Sequence, residues 1–251
     1  MGALSSENLA RLIAGENSAA VEAAVAAAPQ LAKAIDLIAD CFLAGGRVLY
    51  VGAGTSARIA AADAAEMPPT FGVESDRFIA IVAGGAVQRA KEGAEDDVAA
   101  AKSDFRSVEP QGTDIAVGIS ASGRTPYVLA ALTEARSLGL HTVGIANNRD
   151  AELLALVDVP ILLDTGPEVL TGSTRLKAGT AQKIALNTIS TGAMVRSGRV
   201  SGNVMTYMTP RNAKLRKRAV GIVADFLKID STEAVSRLEA AEWNIQDAMK
   251  R

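Results

Sequence analysis

Apolar residues follow two rhythms along this chain. Over residues 6–44 they fall at helical spacing, as Leu9, Leu12 and Ile13, then as Leu31, Ile35, Ile38 and Phe42. This predicts two helices. Pro29 suits the first turn of the second, where a missing N–H breaks no bond, and Gly45 and Gly46 end it. From residue 47 the rhythm changes. Short uninterrupted apolar runs at 47–51, 78–82, 114–119, 141–146 and 157–163 alternate with helical stretches. A strand that is apolar on both faces belongs to a sheet covered on both sides. The pattern predicts an α/β fold, a doubly wound and mainly parallel sheet of five strands. Further helices are expected over 173–197, with Ile184, Leu186, Ile189, Met194 and Val195 available for burial, and over 211–228. Two short helices follow over 231–250, anchored by Trp243. The chain thus divides into an N-terminal helical segment (1–45), an α/β domain (46–210) and a helical C-terminal segment (211–251).

Composition narrows the class. Hydrophobic residues make up 49% and charged residues 22%, which a packed core requires and a disordered chain lacks. The net charge of -2 offers no basic field for nucleic acid or an anionic membrane. The local cluster Lys214, Arg216, Lys217 and Arg218 reads as a solvated helix face. No apolar run approaches the ~20 residues that span a bilayer. Residues 18–28 are Ala-rich, but Glu22 interrupts them and no basic stretch precedes them, so no secretory leader is read there. The single cysteine, Cys41, cannot form an internal disulfide and sits at an apolar helical position. A reducing, cytoplasmic setting is expected.

In an open parallel sheet, ligands bind beyond the carboxyl ends of the strands. Two such ends carry glycine- and hydroxyl-rich loops that run into helices. The first is Gly52-Ala53-Gly54-Thr55-Ser56-Ala57-Arg58. The second is Ser120-Ala121-Ser122-Gly123-Arg124-Thr125-Pro126. Glycine lets the backbone approach a ligand closely, and hydroxyls with free N–H groups suit a phosphate. Ser120, Ser122, Gly123 and Thr125 are the expected phosphate-binding residues, with Thr55 and Ser56 nearby. Neither loop ends in the Gly-Lys-Ser/Thr of a P-loop. Ala57 stands where a dinucleotide fingerprint has its third glycine, so nucleotide binding is the poorer reading.

Carboxylates come next. Glu66 immediately precedes Met67-Pro68-Pro69, and the double proline is expected to end its helix and leave Glu66 near the first loop. The run Glu92-Gly93-Ala94-Glu95-Asp96-Asp97 follows the second strand. It reads equally as a solvated helix start capped by Asp96 or Asp97. A long polar loop, residues 165–180, follows the fifth strand and is rich in donors. Glu168, Ser173 and Lys177 are its candidate ligand-binding residues, while Ser173 or Thr174 suits the cap of the next helix. With one histidine, His141, and one distant cysteine, neither a metal site nor a Ser-His-Asp triad is legible.

The runs VGAGTSARIAAADAAEMPPTFG, AGG…EGAEDD, ISASGRTPYV and GPEVLTGSTRLKAGTAQKIALNTISTGAMVR resemble the N-acetylmuramic acid 6-phosphate etherase family, which has the sugar isomerase (SIS) fold. The similarity extends over about residues 19–219. It implies removal of D-lactate from the 3-position of N-acetylmuramic acid 6-phosphate in the recycling of cell-wall sugar, without a cofactor. It also implies Glu66 as catalytic acid, Glu95 as the second catalytic glutamate and a homodimer with the site near the interface. The apolar helices over 6–44 and 173–197 would offer that surface. Two departures stand out: Ala57 replaces a usual glycine and Met67 a common cysteine. The SIS fold also serves sugar-phosphate-sensing regulators and aldose–ketose isomerases, which are the alternative readings.

Overall fold

The computed structural model describes residues 1–85, 87, 91–208, 210 and 212–250. Five parallel strands form one sheet: β1 (Val48–Gly52), β2 (Phe78–Val82), β3 (Ile115–Ile119), β4 (His141–Ala146) and β5 (Val159–Leu162). Their spatial order is β2-β1-β3-β4-β5. The chain leaves β1 to one side and returns to pair β3 on the other, so the winding reverses between β1 and β3.

Alternation along the strands feeds two cores. Val48 and Tyr50 of β1, with Ile115, Val117 and Ile119 of β3, face one core. Against it pack α3 (Ala28–Leu43), α4 (Gly54–Phe71) and α8 (Lys177–Arg196). Leu49 and Val51 face the other core, covered by α5 (Val98–Ser107), α6 (Pro126–Ser137) and α7 (Glu152–Leu156). The continuous apolar runs arise because helices cover both faces of the sheet, leaving only His141 and Pro160 exposed among the strand residues.

The N-terminal stretch forms three helices, where the sequence predicts two: α1 (Ser6–Gly15), α2 (Ser18–Ala26) and α3. The break at Glu16 and Asn17 turns both side chains onto α8. Lys177 Nζ lies 2.6 Å from Glu16 Oε2, and Thr180 Oγ1 donates to Asn17 Oδ1 at 3.0 Å. At the other end, α9 (Ala213–Leu227), α10 (Ser231–Ala240) and α11 (Ile245–Ala248) build a small core of their own around Val223 and Leu238, with Trp243 packed on it. Arg199 stacks on both Phe42 and Tyr207. Among the described residues, no helix is long and apolar enough to cross a membrane.

The double proline does not stop α4 where the sequence suggests. Pro68 and Pro69 sit inside its last turn, and the helix ends at Gly72, whose left-handed backbone (φ 61°) returns its N–H to the Pro68 carbonyl. Two prolines in a final turn forfeit few helical bonds, so the helix survives them.

Two buried polar centres pin the sheet. Asp63 of α4 accepts from Tyr50 Oη at 2.9 Å, Asn187 Nδ2 at 2.6 Å and Ser190 Oγ at 3.0 Å, joining β1, α4 and α8. Burial, with the Asp63 charge beside it, holds the Tyr50 hydroxyl well above its ordinary pKa. At the opposite end of β1, Asp114 accepts from the Arg47 backbone N–H at 2.8 Å and from its guanidinium at 2.7 Å. Burial opposes the Asp114 charge, but the Arg47 and Gln111 donors outweigh it and lower the carboxyl from its ordinary value. Burial likewise pushes the Cys41 thiol up to about 12, which makes it a packing residue.

Candidate active site

A cavity of about 450 Å³ opens over the carboxyl ends of β1, β2 and β3, at the point where the winding reverses. Four segments build it, one being the loop after β5 with Gly172 and Thr174. The β1–α4 loop contributes Gly54, Thr55, Ser56 and Arg58. The β3–α6 loop contributes Ser120, Ser122 and Thr125. The segment after β2 contributes Lys91, Glu92 and Glu95.

The β3–α6 loop is tied into a hydroxyl cluster. Ser120 Oγ lies 2.7 Å from Thr125 Oγ1 and 3.3 Å from Ser122 Oγ, and accepts the Gly123 N–H at 3.0 Å. Ser122 Oγ accepts the Arg124 N–H at 3.2 Å. Gly123 lines no part of the cavity. It adopts φ 65°, and a Cβ there would collide with Ala151, so only glycine closes this turn.

Glu95 sits on a single 3-10 turn (Ala94–Asp96) between β2 and α5, held by the buried Ala94 methyl in the core. Asp97 caps α5 by accepting the Ala100 N–H at 2.9 Å. In the acidic run, Asp97 caps α5, while Glu92 and Glu95 border the cavity.

The remaining expected site residues lie elsewhere. Glu66 is exposed on α4, but the β1–α4 loop is at the opposite end of that helix. About twelve residues separate Gly54 from Glu66, which is about 18 Å along the axis. Glu66 does not line the cavity. Glu168 takes the capping role that the sequence gives to Ser173 or Thr174. Its carboxylate accepts the Lys177 and Ala178 N–H groups at 3.2 and 2.9 Å and so starts α8 at Lys177. The Lys177 side chain is buried and paired with Glu16, facing the N-terminal helices and not the cavity. Ser173 is half-buried outside the cavity, where Gly172 and Thr174 border it instead. Ala57 and Met67 are buried and neither lines the cavity.

Four residues went unread in the sequence. Arg58 and Lys91 bring positive charge to the cavity, and Arg58 Nη2 donates to Thr55 Oγ1 at 3.3 Å. Gln182 and Asn147 tie Ser56 to the sheet: Ser56 Oγ donates to Gln182 Oε1, and Gln182 Nε2 to Asn147 Oδ1, each at 2.9 Å. Arg58 ends the first glycine- and hydroxyl-rich run, three residues after Thr55, which is the local signal for it. The Gln182 contact spans 126 residues and leaves no local signal.

A doubly wound five-stranded sheet with hydroxyl loops at its reversal point defines a SIS-type domain. The family model of the glucokinase regulatory protein N-terminal SIS domain matches residues 30–136. The fold is shared with the phosphoheptose isomerase from Neisseria gonorrhoeae, at TM-score 0.56 and 21% identity, covering 76% of this chain and 98% of that one. It is also shared with the C-terminal domain of glucosamine-fructose-6-phosphate aminotransferase from Francisella tularensis, at TM-score 0.54 and 19% identity, covering 88% and 56%. Sequence relatives are more specific. The N-acetylmuramic acid 6-phosphate etherase of Deinococcus radiodurans is 46% identical over 98% of this chain and 81% of its own length. That of Symbiobacterium thermophilum is 50% identical over 88% and 74%. The chain belongs to the N-acetylmuramic acid 6-phosphate etherase family.

Proposed function

We propose that this protein cleaves the lactyl ether of N-acetylmuramic acid 6-phosphate, giving N-acetylglucosamine 6-phosphate and D-lactate in the cytoplasm. The observation that carries this reading is the meeting of Glu95 with the hydroxyl cluster in one cavity. A phosphate dianion accepts hydrogen bonds only, and the cluster offers hydroxyl protons beside the cations Arg58 and Lys91.

The chemistry follows from the open-chain sugar. Its C1 aldehyde acidifies the proton on C2. Glu95, ionised, takes that proton. The electron pair forms a C2=C3 double bond, and the C3–O bond to lactate breaks. A protonated carboxylic acid must deliver a proton to the departing ether oxygen, and Glu66 has that role in this reading. Water then adds at C3 and a proton returns to C2. Two carboxyl groups thus hold opposite protonation states within one reaction.

Glu66 lies too far along α4 to serve the cavity of its own chain, so this reading takes the acid from a second copy. A homodimer with the site at its interface accommodates that. The helix α1 supports it, being amphipathic through Leu9, Leu12 and Ile13 yet having no buried residue within the chain.

The test is incubation with N-acetylmuramic acid 6-phosphate and assay of D-lactate. A ketose phosphate formed without lactate would establish an isomerase instead. Binding without turnover would establish a regulator.

A further inference from the structure

The hydroxyls around the cavity do not all offer a ligand the same thing. Ser56, in the first turn of α4, lines the cavity and heads a relay into the core. Its Oγ is 2.9 Å from Gln182 Oε1. Gln182 Nε2 is 2.9 Å from Asn147 Oδ1, and Asn147 Nδ2 is 2.9 Å from the Leu163 carbonyl oxygen.

The far end sets the direction of every bond. A backbone carbonyl can only accept, so the nitrogen of Asn147 must face Leu163; a flipped amide would press two oxygens together. The Asn147 oxygen is then left for Gln182, which must present its nitrogen. The Gln182 oxygen is left for Ser56. An amide oxygen also only accepts, so Ser56 must donate. Gln182 is 1% exposed, which removes the choice of turning to water. A serine has one proton, and this one points into the core. What Ser56 retains for a ligand is a lone pair.

Its neighbour has the opposite polarity. Arg58 donates to Thr55 Oγ1 at 3.3 Å, which leaves the Thr55 proton free. In the β3–α6 loop, Ser120 and Ser122 accept from backbone N–H groups, and the contacts among Ser120, Ser122 and Thr125 use at most two of their three protons, which leaves at least one for a ligand. These are phosphate-compatible hydroxyls. Ser56 is not, because two acceptors facing each other repel.

We propose that Ser56 is a specificity-determining acceptor that takes a hydrogen bond from the sugar, from a hydroxyl or the acetamido N–H, while Gln182 and Asn147 are positioning residues that fix its polarity. This rests on the sugar-phosphate reading of the cavity and removes Ser56 from the expected phosphate ligands.

The test is calorimetric binding of two probes, inorganic phosphate and N-acetylglucosamine 6-phosphate, to the full chain. Ser56→Ala is expected to weaken the sugar phosphate about 3–10-fold, the size of one net hydrogen bond, and to leave inorganic phosphate within about twofold. Gln182→Met frees the Ser56 proton. It should weaken the sugar phosphate while leaving inorganic phosphate equal or tighter, a divergence that general damage to the site would not produce. Ser120→Ala should weaken both. The proposal is overturned if Ser56→Ala weakens both probes equally, or if it leaves the sugar phosphate unaffected. A wild-type protein that binds inorganic phosphate but not the sugar phosphate overturns the sugar-phosphate reading itself, before any substitution is compared.

Discussion

Mixing two inactive variants tests where the acid comes from. Glu66 lies about 18 Å along α4 from the loop that opens the cavity, beyond the span of a glutamate side chain. Glu95 borders that cavity directly. If both carboxyls are needed and only Glu95 is supplied by the chain that forms the cavity, each site of a dimer draws on two subunits. Glu66→Gln and Glu95→Gln homodimers should each lose roughly 10²–10⁴-fold in lactate release, the size of a general acid–base contribution. Combined, unfolded and refolded together in equal amounts, half of the dimers are mixed. A mixed dimer has one site with both glutamates intact and one with neither. About a quarter of wild-type activity should therefore return, at least 25-fold above either variant alone if each lost 100-fold. The assay is D-lactate release per mole of chain, with each variant refolded separately as control. If the mixture stays as inactive as its components while light scattering shows dimers, the shared-site arrangement is refuted. Near-parent activity in Glu66→Gln alone would remove Glu66 from the mechanism.

Two further predictions concern stability. Asp114→Asn should cost about 3 kcal/mol at pH 7, because it leaves the Arg47 guanidinium beside a buried neutral group. The folded Asp114 carboxyl lies below its ordinary value, so its contribution is present above the unfolded pKa of about 4 and is lost as pH falls through the folded one. Urea unfolding at pH 7 and pH 3 should show the gap between parent and variant closing in acid; a gap independent of pH would refute the assignment. Asp63→Ala strands the buried donors Tyr50 and Ser190 and should cost about 2–5 kcal/mol by thermal or urea unfolding. A loss below about 1 kcal/mol would mean that those hydroxyls find other acceptors.

The sequence by itself determined whatever depends on neighbours along the chain. The five apolar runs specify five strands because each must bury both faces, and their carboxyl ends point to where the cavity opens. The Ser120–Thr125 loop was legible for the same reason: its glycine and hydroxyls lie within six residues. The etherase resemblance rests on runs of this local kind. Tertiary structure decided how distant groups are spent. Lys177 reads as a phosphate donor until the turn at Glu16, 161 residues earlier, claims its ammonium. Glu168 reads as a ligand until it closes the start of α8. Glu66 is separated from its presumed loop by the length of a helix, which spacing in sequence conceals because the prolines mark the wrong end. Ser56 is a serine in either case; only the relay through Gln182 and Asn147 to the Leu163 carbonyl, assembled from three separate elements, fixes which way its single proton points.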